Sequence, residues 1–166
     1  MKFKYGLLII LIAAFAVADY RLIAQETRTG PAKSADPFAG TWVLNVAKSR
    51  FNPSPGLKSG TARIEAQDNG IRCVLDPVSA EGVARHGEWA AKFDGKDYPS
   101  GMKPFADTVA LKKIDANTLE ALFKKGEKAI LGEQWVLSAD HKTLTMTQLG
   151  MDSSLKGLYN MLVYEK

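Results

Sequence analysis

One cysteine and two histidines in 166 residues exclude several kinds of chemistry at the outset. With Cys73 alone, no disulfide can form within the chain, so stability has to come from a packed core. Cys73 lies in Ile71-Arg72-Cys73-Val74-Leu75, where alternation puts it on one face with Ile71 and Leu75, the place of a small buried apolar side chain. A reactive thiol needs a depressed pKa and a base, and Arg72 is all that the local sequence offers. His86 and His141 have no i, i+2 or i, i+4 partner, so no metal site is expected. No Gly-rich loop follows a strand and opens a helix, which removes the usual phosphate cradle. Ser100-Gly101-Met102-Lys103 has the Ser-x-x-Lys spacing of serine acyl-enzymes, but Pro99 and Pro104 flank it and the segment reads as loop. Asp76, Glu88, Asp107 and Glu120 supply carboxylates, and nothing selects two of them as a catalytic pair. The expectation is a protein without catalytic residues, metal or cofactor.

Clustered basic charge is also missing. The formal charge is +4, and removal of Lys2 and Lys4 with a leader leaves 20 basic against 18 acidic residues, or +2. Lys112-Lys113 and Lys124-Lys125 read as solvated strand positions, and nucleic acid is not an expected partner.

The one long apolar run, Gly6 to Ala18, is too short to span a membrane, which takes about 20 residues. Lys2 and Lys4 precede it, Asp19 and Arg21 end it, and Ala16-Val17-Ala18 gives an A-x-A cleavage pattern. Residues 1–18 are therefore expected to be a signal peptide, with a second cleavage position after Ala24, and the mature protein to be exported to the periplasm or secreted, without stable membrane insertion. Residues 19–35, with Thr27, Gly30, Pro31 and Ser34, show no periodicity and read as a tether.

From Asp36 onward, short alternating segments follow one another, separated by turn residues at intervals of roughly 8–14, the pattern of an all-β domain. Trp42, Leu44 and Val46 share a face in Thr41 to Val46. Ala62, Ile64 and Ala66 share one in Thr61 to Gln67, and Asn69-Gly70 then offers a two-residue hairpin whose turn positions need φ > 0. Ile71 to Leu75, His86 to Phe93, Thr108 to Ile114, Thr118 to Lys124, Ala129 to Leu137, Thr143 to Gln148 and Tyr159 to Glu165 complete about nine strands, with Asp94-Gly95 a further hairpin signal. A meander this long exposes two edges unless it closes, so the fold class expected for 36–166 is an antiparallel up-and-down barrel of about 8–10 strands.

Phe38-Ala39-Gly40-Thr41-Trp42 resembles the Phe-x-Gly-x-Trp opening of the calycins, the lipocalins and fatty-acid-binding proteins, and the chain as a whole resembles exported bacterial lipocalin-like domains. The resemblance implies that Gly40 turns the chain onto the barrel floor and that Trp42 plugs it. It also implies a basic residue near the C-terminus, Lys156 or Lys166, capping that tryptophan. Val163-Tyr164-Glu165-Lys166 looks like the last strand of fatty-acid-binding proteins, where an Arg-x-Tyr pair holds the ligand carboxylate; the matching positions here are Leu162 and Tyr164. The tyrosine is present and the arginine is absent, which points away from carboxylate ligands. Lys113 and Arg63 are the cations that a one-residue slip in register would turn inward.

Three classes of function follow, in order. The first is a monomeric barrel binding a small apolar or amphipathic molecule, with Tyr164, Leu162, Trp89 and Phe123 lining the site and small residues such as Ala62, Ala66, Ala91 and Ala121 leaving room. The second is a filled barrel serving as a protein-interaction or inhibitor module in the cell envelope. The third is an enzyme.

Overall fold

Ten antiparallel strands run up and down in a computed structural model that describes residues 36–166; the expected signal peptide and tether lie outside the described residues. They are β1 (Gly40–Leu44), β2 (Leu57–Gln67), β3 (Gly70–Ser79), β4 (Gly87–Lys92), β5 (Asp94–Pro99), β6 (Thr108–Lys113), β7 (Thr118–Lys125), β8 (Lys128–Leu137), β9 (Thr143–Gly150) and β10 (Tyr159–Glu165). One 3-10 turn, Ser153–Leu155, interrupts the β9–β10 connection. The sheet order is β4-β3-β2-β1-β10-β9-β8-β7-β6-β5. Each strand thus pairs with its sequence neighbour except across β4–β5, and β1 pairs with β10 to join the chain's two ends.

Between β4 and β5 the sheet is nearly closed. The bridge Trp89↔Ser100 and a hydrogen bond from Gly101 N–H to Glu88 C=O at 2.8 Å span the seam. A Cβ on Gly101 would stand 2.8 Å from that same carbonyl oxygen, so a side chain there would push the seam apart. Asp94-Gly95 therefore reverses the chain without making β4 and β5 hydrogen-bonded partners, contrary to the hairpin expectation. The strand absent from the sequence expectation is β5: Asp-Gly-Lys-Asp-Tyr-Pro has no apolar alternation, and it pairs along only one edge, with β6.

Other boundaries moved for local reasons. Val46 was expected beside Trp42 and Leu44, but β1 ends at Leu44 and Val46 falls in a turn, half in solvent. Ala66 lies at the exposed end of β2 rather than inside. The β2–β3 turn consists of Asp68 and Asn69, of which Asn69 has φ 53°, while Gly70 is already extended and paired with Gln67. Gly70 is required for space rather than for turn geometry, because a Cβ there would collide with the Ala91 carbonyl on β4.

Inward-pointing residues of all strands except polar β5 form one core, dominated by Trp42, Trp89, Trp135, Phe38 and Phe123. The floor lies at the end where β1 begins and β10 finishes. The loops at the opposite end contribute partly buried Phe51, Met102, Phe105, Leu155 and Leu158 against that core. Asn52 ties two of these loops together: its side-chain nitrogen donates to Gly157 C=O at 3.1 Å, and its carbonyl accepts from Tyr159 N–H at 2.9 Å.

Candidate functional site in the barrel interior

The floor is the simpler of two polar arrangements within the barrel. Gly40, at φ 138°, adopts a backbone that L side chains rarely reach, and this turns the chain under the barrel. Trp42 is fully buried, and its indole N–H donates to Phe38 C=O at 2.8 Å. Lys166 covers the ring with its ammonium 4.3 Å from the centroid and donates to Ala39 C=O at 3.0 Å. Of the two lysines that the resemblance offered, the one over Trp42 is Lys166. Lys113 also ends near the floor: it has the inward phase of Val109 and Leu111, but its ammonium pairs with Asp36 at 3.0 Å and lies 5.1 Å from the Phe93 ring centroid. Arg63 points outward and faces Glu65 at 3.6 Å.

Higher in the barrel, three consecutive strands each place a polar residue on the inward phase. On β8 the alternation is Leu131, Glu133, Trp135, Leu137; on β9 it is Leu144, Met146, Gln148; on β10 it is Asn160, Leu162, Tyr164. The register sets Glu133 opposite Gln148 and Gln148 opposite Asn160, so the three form one row across the wall. Gln148 Nε2 donates to Glu133 Oε1 at 2.7 Å, and Trp135 Nε1 donates to Glu133 Oε2 at 2.8 Å. Asn160 Nδ2 donates to Gln148 Oε1 at 3.0 Å, and Asn52 N–H donates to Asn160 Oδ1 at 3.0 Å. Glu133 is buried, and burial pushes its carboxyl above the ordinary range despite the two donors that pull the other way.

The four side chains expected to line a ligand site are all buried in this interior. Trp89 and Phe123 meet edge to face with centroids 6.0 Å apart, and Trp89 also lies 5.7 Å from Trp135. Leu162 and Tyr164 point inward from β10. Tyr164 and Cys73 both feel the Glu133 carboxyl, and burial first, then that charge, pushes the phenol and the thiol well up. Among the described residues, Trp89 Nε1 is one of two buried side-chain polar atoms with no hydrogen-bond partner; the other is Thr108 Oγ1, on the outward phase of β6.

Sequence reasoning missed Glu133, Gln148 and Asn160. The signal was present in each strand as a polar residue in the apolar phase, but it becomes a site only when the register aligns the three. The carboxylates that were considered sit outside: Glu88 meets Arg72 at 2.9 Å, Asp107 meets Lys125 at 3.0 Å, and Asp76 meets His86 at 2.7 Å. His141 occupies a turn at φ 55°, with Nε2 3.2 Å from Asn117 Oδ1. The Ser100 hydroxyl accepts from Met102 N–H at 3.2 Å, in a loop. No group of three or more His, Cys, Asp or Glu able to hold a metal occurs among the described residues.

The arrangement is therefore a barrel, compatible with a calycin-like fold, with a fully satisfied floor and a polar row set among aromatic rings in its interior. No family model matches the chain, and no curated protein matches it.

Proposed function

We propose that this protein is exported and binds one small apolar or amphipathic molecule in the barrel interior as a monomer, without catalysing a reaction. The observation that carries the reading is the Trp89 indole N–H, a buried donor with no acceptor among the described residues, in an aromatic interior that also holds the Glu133 row. Burying an unsatisfied donor costs about 1–3 kcal/mol, so an interior evolved for stability alone would have satisfied or removed it. A ligand oxygen supplies the missing acceptor. Carboxylate ligands are disfavoured, because Leu162 stands where an arginine would be needed and Glu133 adds a carboxyl of its own.

A binder rather than an enzyme is supported by the surroundings of the reactive groups. Cys73 is a buried thiol pushed up by burial, and both histidines are exposed and lie outside the strands. Direct tests are fluorescence titration of the interior tryptophans with 1-octanol and, for export, N-terminal sequencing. Saturable quenching and a mature chain starting at Asp19, or at Gln25, are expected; unchanged fluorescence, or an intact Met1 on exported material, contradicts the corresponding half.

The second reading, a filled barrel that meets another protein, is favoured by Leu149, Met151 and Tyr159, which are 53%, 52% and 55% exposed at the end opposite the floor. Leu149 and Tyr159 are direct cross-strand neighbours, so their apolar surfaces adjoin. Absence of any small-molecule binding together with a soluble complex of defined stoichiometry would favour this reading.

A further inference from the structure

We infer that the interior site takes an organic amine, with Glu133 as its counter-ion and the rings of Trp89, Trp135 and Phe123 as the aromatic surface beside it. The inference rests on the small-molecule reading above and adds the charge of the ligand.

The direction of the hydrogen bonds carries the argument. Asn52 N–H is a fixed donor, and by donating to Asn160 Oδ1 at 3.0 Å it sets that amide with its NH₂ toward Gln148. Gln148 is thereby set with its own NH₂ toward Glu133 Oε1, at 2.7 Å. On the other side, an indole nitrogen can only donate, and Trp135 does so to Glu133 Oε2 at 2.8 Å. Every protein partner of Glu133 is thus a donor. The surroundings suit an acceptor-only carboxylate; a protonated carboxyl would carry an O–H aimed at no acceptor among them.

What the carboxylate lacks is a cation. Lys113, a lysine on an inward strand phase, lies at the floor and pairs with Asp36, while Arg72 pairs with Glu65 and Glu88, Lys124 with Asp97, and Lys128 with Asp152. A buried carboxylate without a counter-charge is expensive, and a protein that keeps one is one positive charge short. An ammonium group meets the need of the carboxylate and gains from neighbouring ring faces, while the acceptor that Trp89 lacks comes from an oxygen elsewhere on the same molecule. A carboxylate ligand meets repulsion, and an alcohol gains only a neutral hydrogen bond.

Binding then has a proton signature. Burial pushes the Glu133 carboxyl up, against its two donors, and an ammonium beside it pushes it back down. Where Glu133 holds a proton as R–NH₃⁺ enters, the O–H bond breaks, its electron pair stays on the carboxylate and the proton leaves to solvent. The titratable groups facing Glu133 are Cys73 on β3 and Tyr164 on β10; both are pushed up by burial and stay protonated at neutral pH. Gln148 on β9 and the Ala121 position on β7 add no titrating group.

The experiment is calorimetric titration of the folded protein at neutral pH with octylamine, 1-octanol and octanoate, in buffers of different ionisation enthalpy. Octylamine is expected to bind at least about tenfold tighter than octanol, octanoate weakest, and any proton exchanged on amine binding is expected to be released rather than taken up. Glu133→Gln, its fold checked by thermal melting, is expected to lose the amine preference. If that variant does not fold, the ranking of the three ligands on the natural protein decides, and octylamine binding no tighter than octanol overturns the inference. Octanol binding that octylamine does not exceed, or a preference that survives Glu133→Gln, overturns the amine inference while leaving the small-molecule reading intact. Binding of none of the three overturns both.

Discussion

At the floor of the barrel the indole nitrogen of Trp42 meets the Phe38 carbonyl at 2.8 Å; higher in the barrel, the indole nitrogen of Trp89 meets no acceptor. Both rings are buried to the same degree and both stand on inward strand phases, so packing does not distinguish them. Polar satisfaction does. Around Trp42 the polar contacts are closed within the chain, Lys166 included. Around Trp89 and Glu133 the described residues supply donors and leave out an acceptor for the indole and a cation for the carboxyl. Buried polar groups are seldom left unsatisfied where a region serves only to fold, and on the proposed reading the contrast separates a structural end from a region that holds a ligand.

The largest effect expected on this comparison is at the floor. Trp42→Ala should destabilise the protein by about 3–5 kcal/mol, read as a fall in the denaturant midpoint, since it removes a fully buried ring from under Lys166. An unmoved midpoint would mean that Trp42 does not plug the barrel.

A second way to break the comparison uses pH. Because burial raises the Glu133 pKa in the fold, the folded protein binds more protons than the unfolded chain above about pH 4, and the carboxyl weighs increasingly against folding as pH rises from there. Glu133→Gln removes that titration. The melting temperature of the variant minus that of the natural protein should therefore rise from acid to neutral pH, whatever its absolute sign. A flat or falling difference would show Glu133 ionising like a surface carboxyl.

Paired substitutions sharpen the contrast further. Trp42→Phe strands the Phe38 carbonyl, whereas Trp89→Phe removes an N–H that had no partner. The first should cost about 1 kcal/mol more than the second in chemical denaturation; equal costs would erase the distinction between the two rings. The smallest effect belongs to Lys166→Met, expected to lose about 0.5–1 kcal/mol through the cation over the Trp42 ring. Salt should shrink that loss, and a gain in stability would remove Lys166 from the floor's account.

Much of this fold was legible from residue order, and the reasons are local. Alternation in segments such as Leu119, Ala121 and Phe123 identified the strands, because each inward residue there is apolar and each strand has one solvated face. Strand β5 escaped because Asp94–Pro99 carries only one large apolar side chain, Tyr98, and so shows no period. The β4–β5 seam escaped for another reason: Asp94-Gly95 reports that the chain reverses, and says nothing of which strand the next one will pair with. Gly70 was read as a turn residue, whereas the neighbouring strand's Ala91 carbonyl dictates it, a contact between distant positions.

The interior row was harder to see for the same reason. One glutamate, one glutamine and one asparagine on three strands are unremarkable singly, and the register of β8, β9 and β10 makes them neighbours. Trp89 and Phe123 drew notice as aromatic rings on strands, and Leu162 and Tyr164 through the resemblance to the last strand of fatty-acid-binding proteins, yet the polar atoms that set the interior's chemistry came from residues with no such prominence.

Whether the interior exists to hold a small molecule is tested most directly by native mass spectrometry of the protein recovered from the cell that makes it, under conditions gentle enough to keep non-covalent ligands. The account predicts one small molecule per chain, released on collisional activation and carrying a basic nitrogen. A chain that is bare in every preparation, and stays bare after exposure to octylamine and 1-octanol, would contradict it.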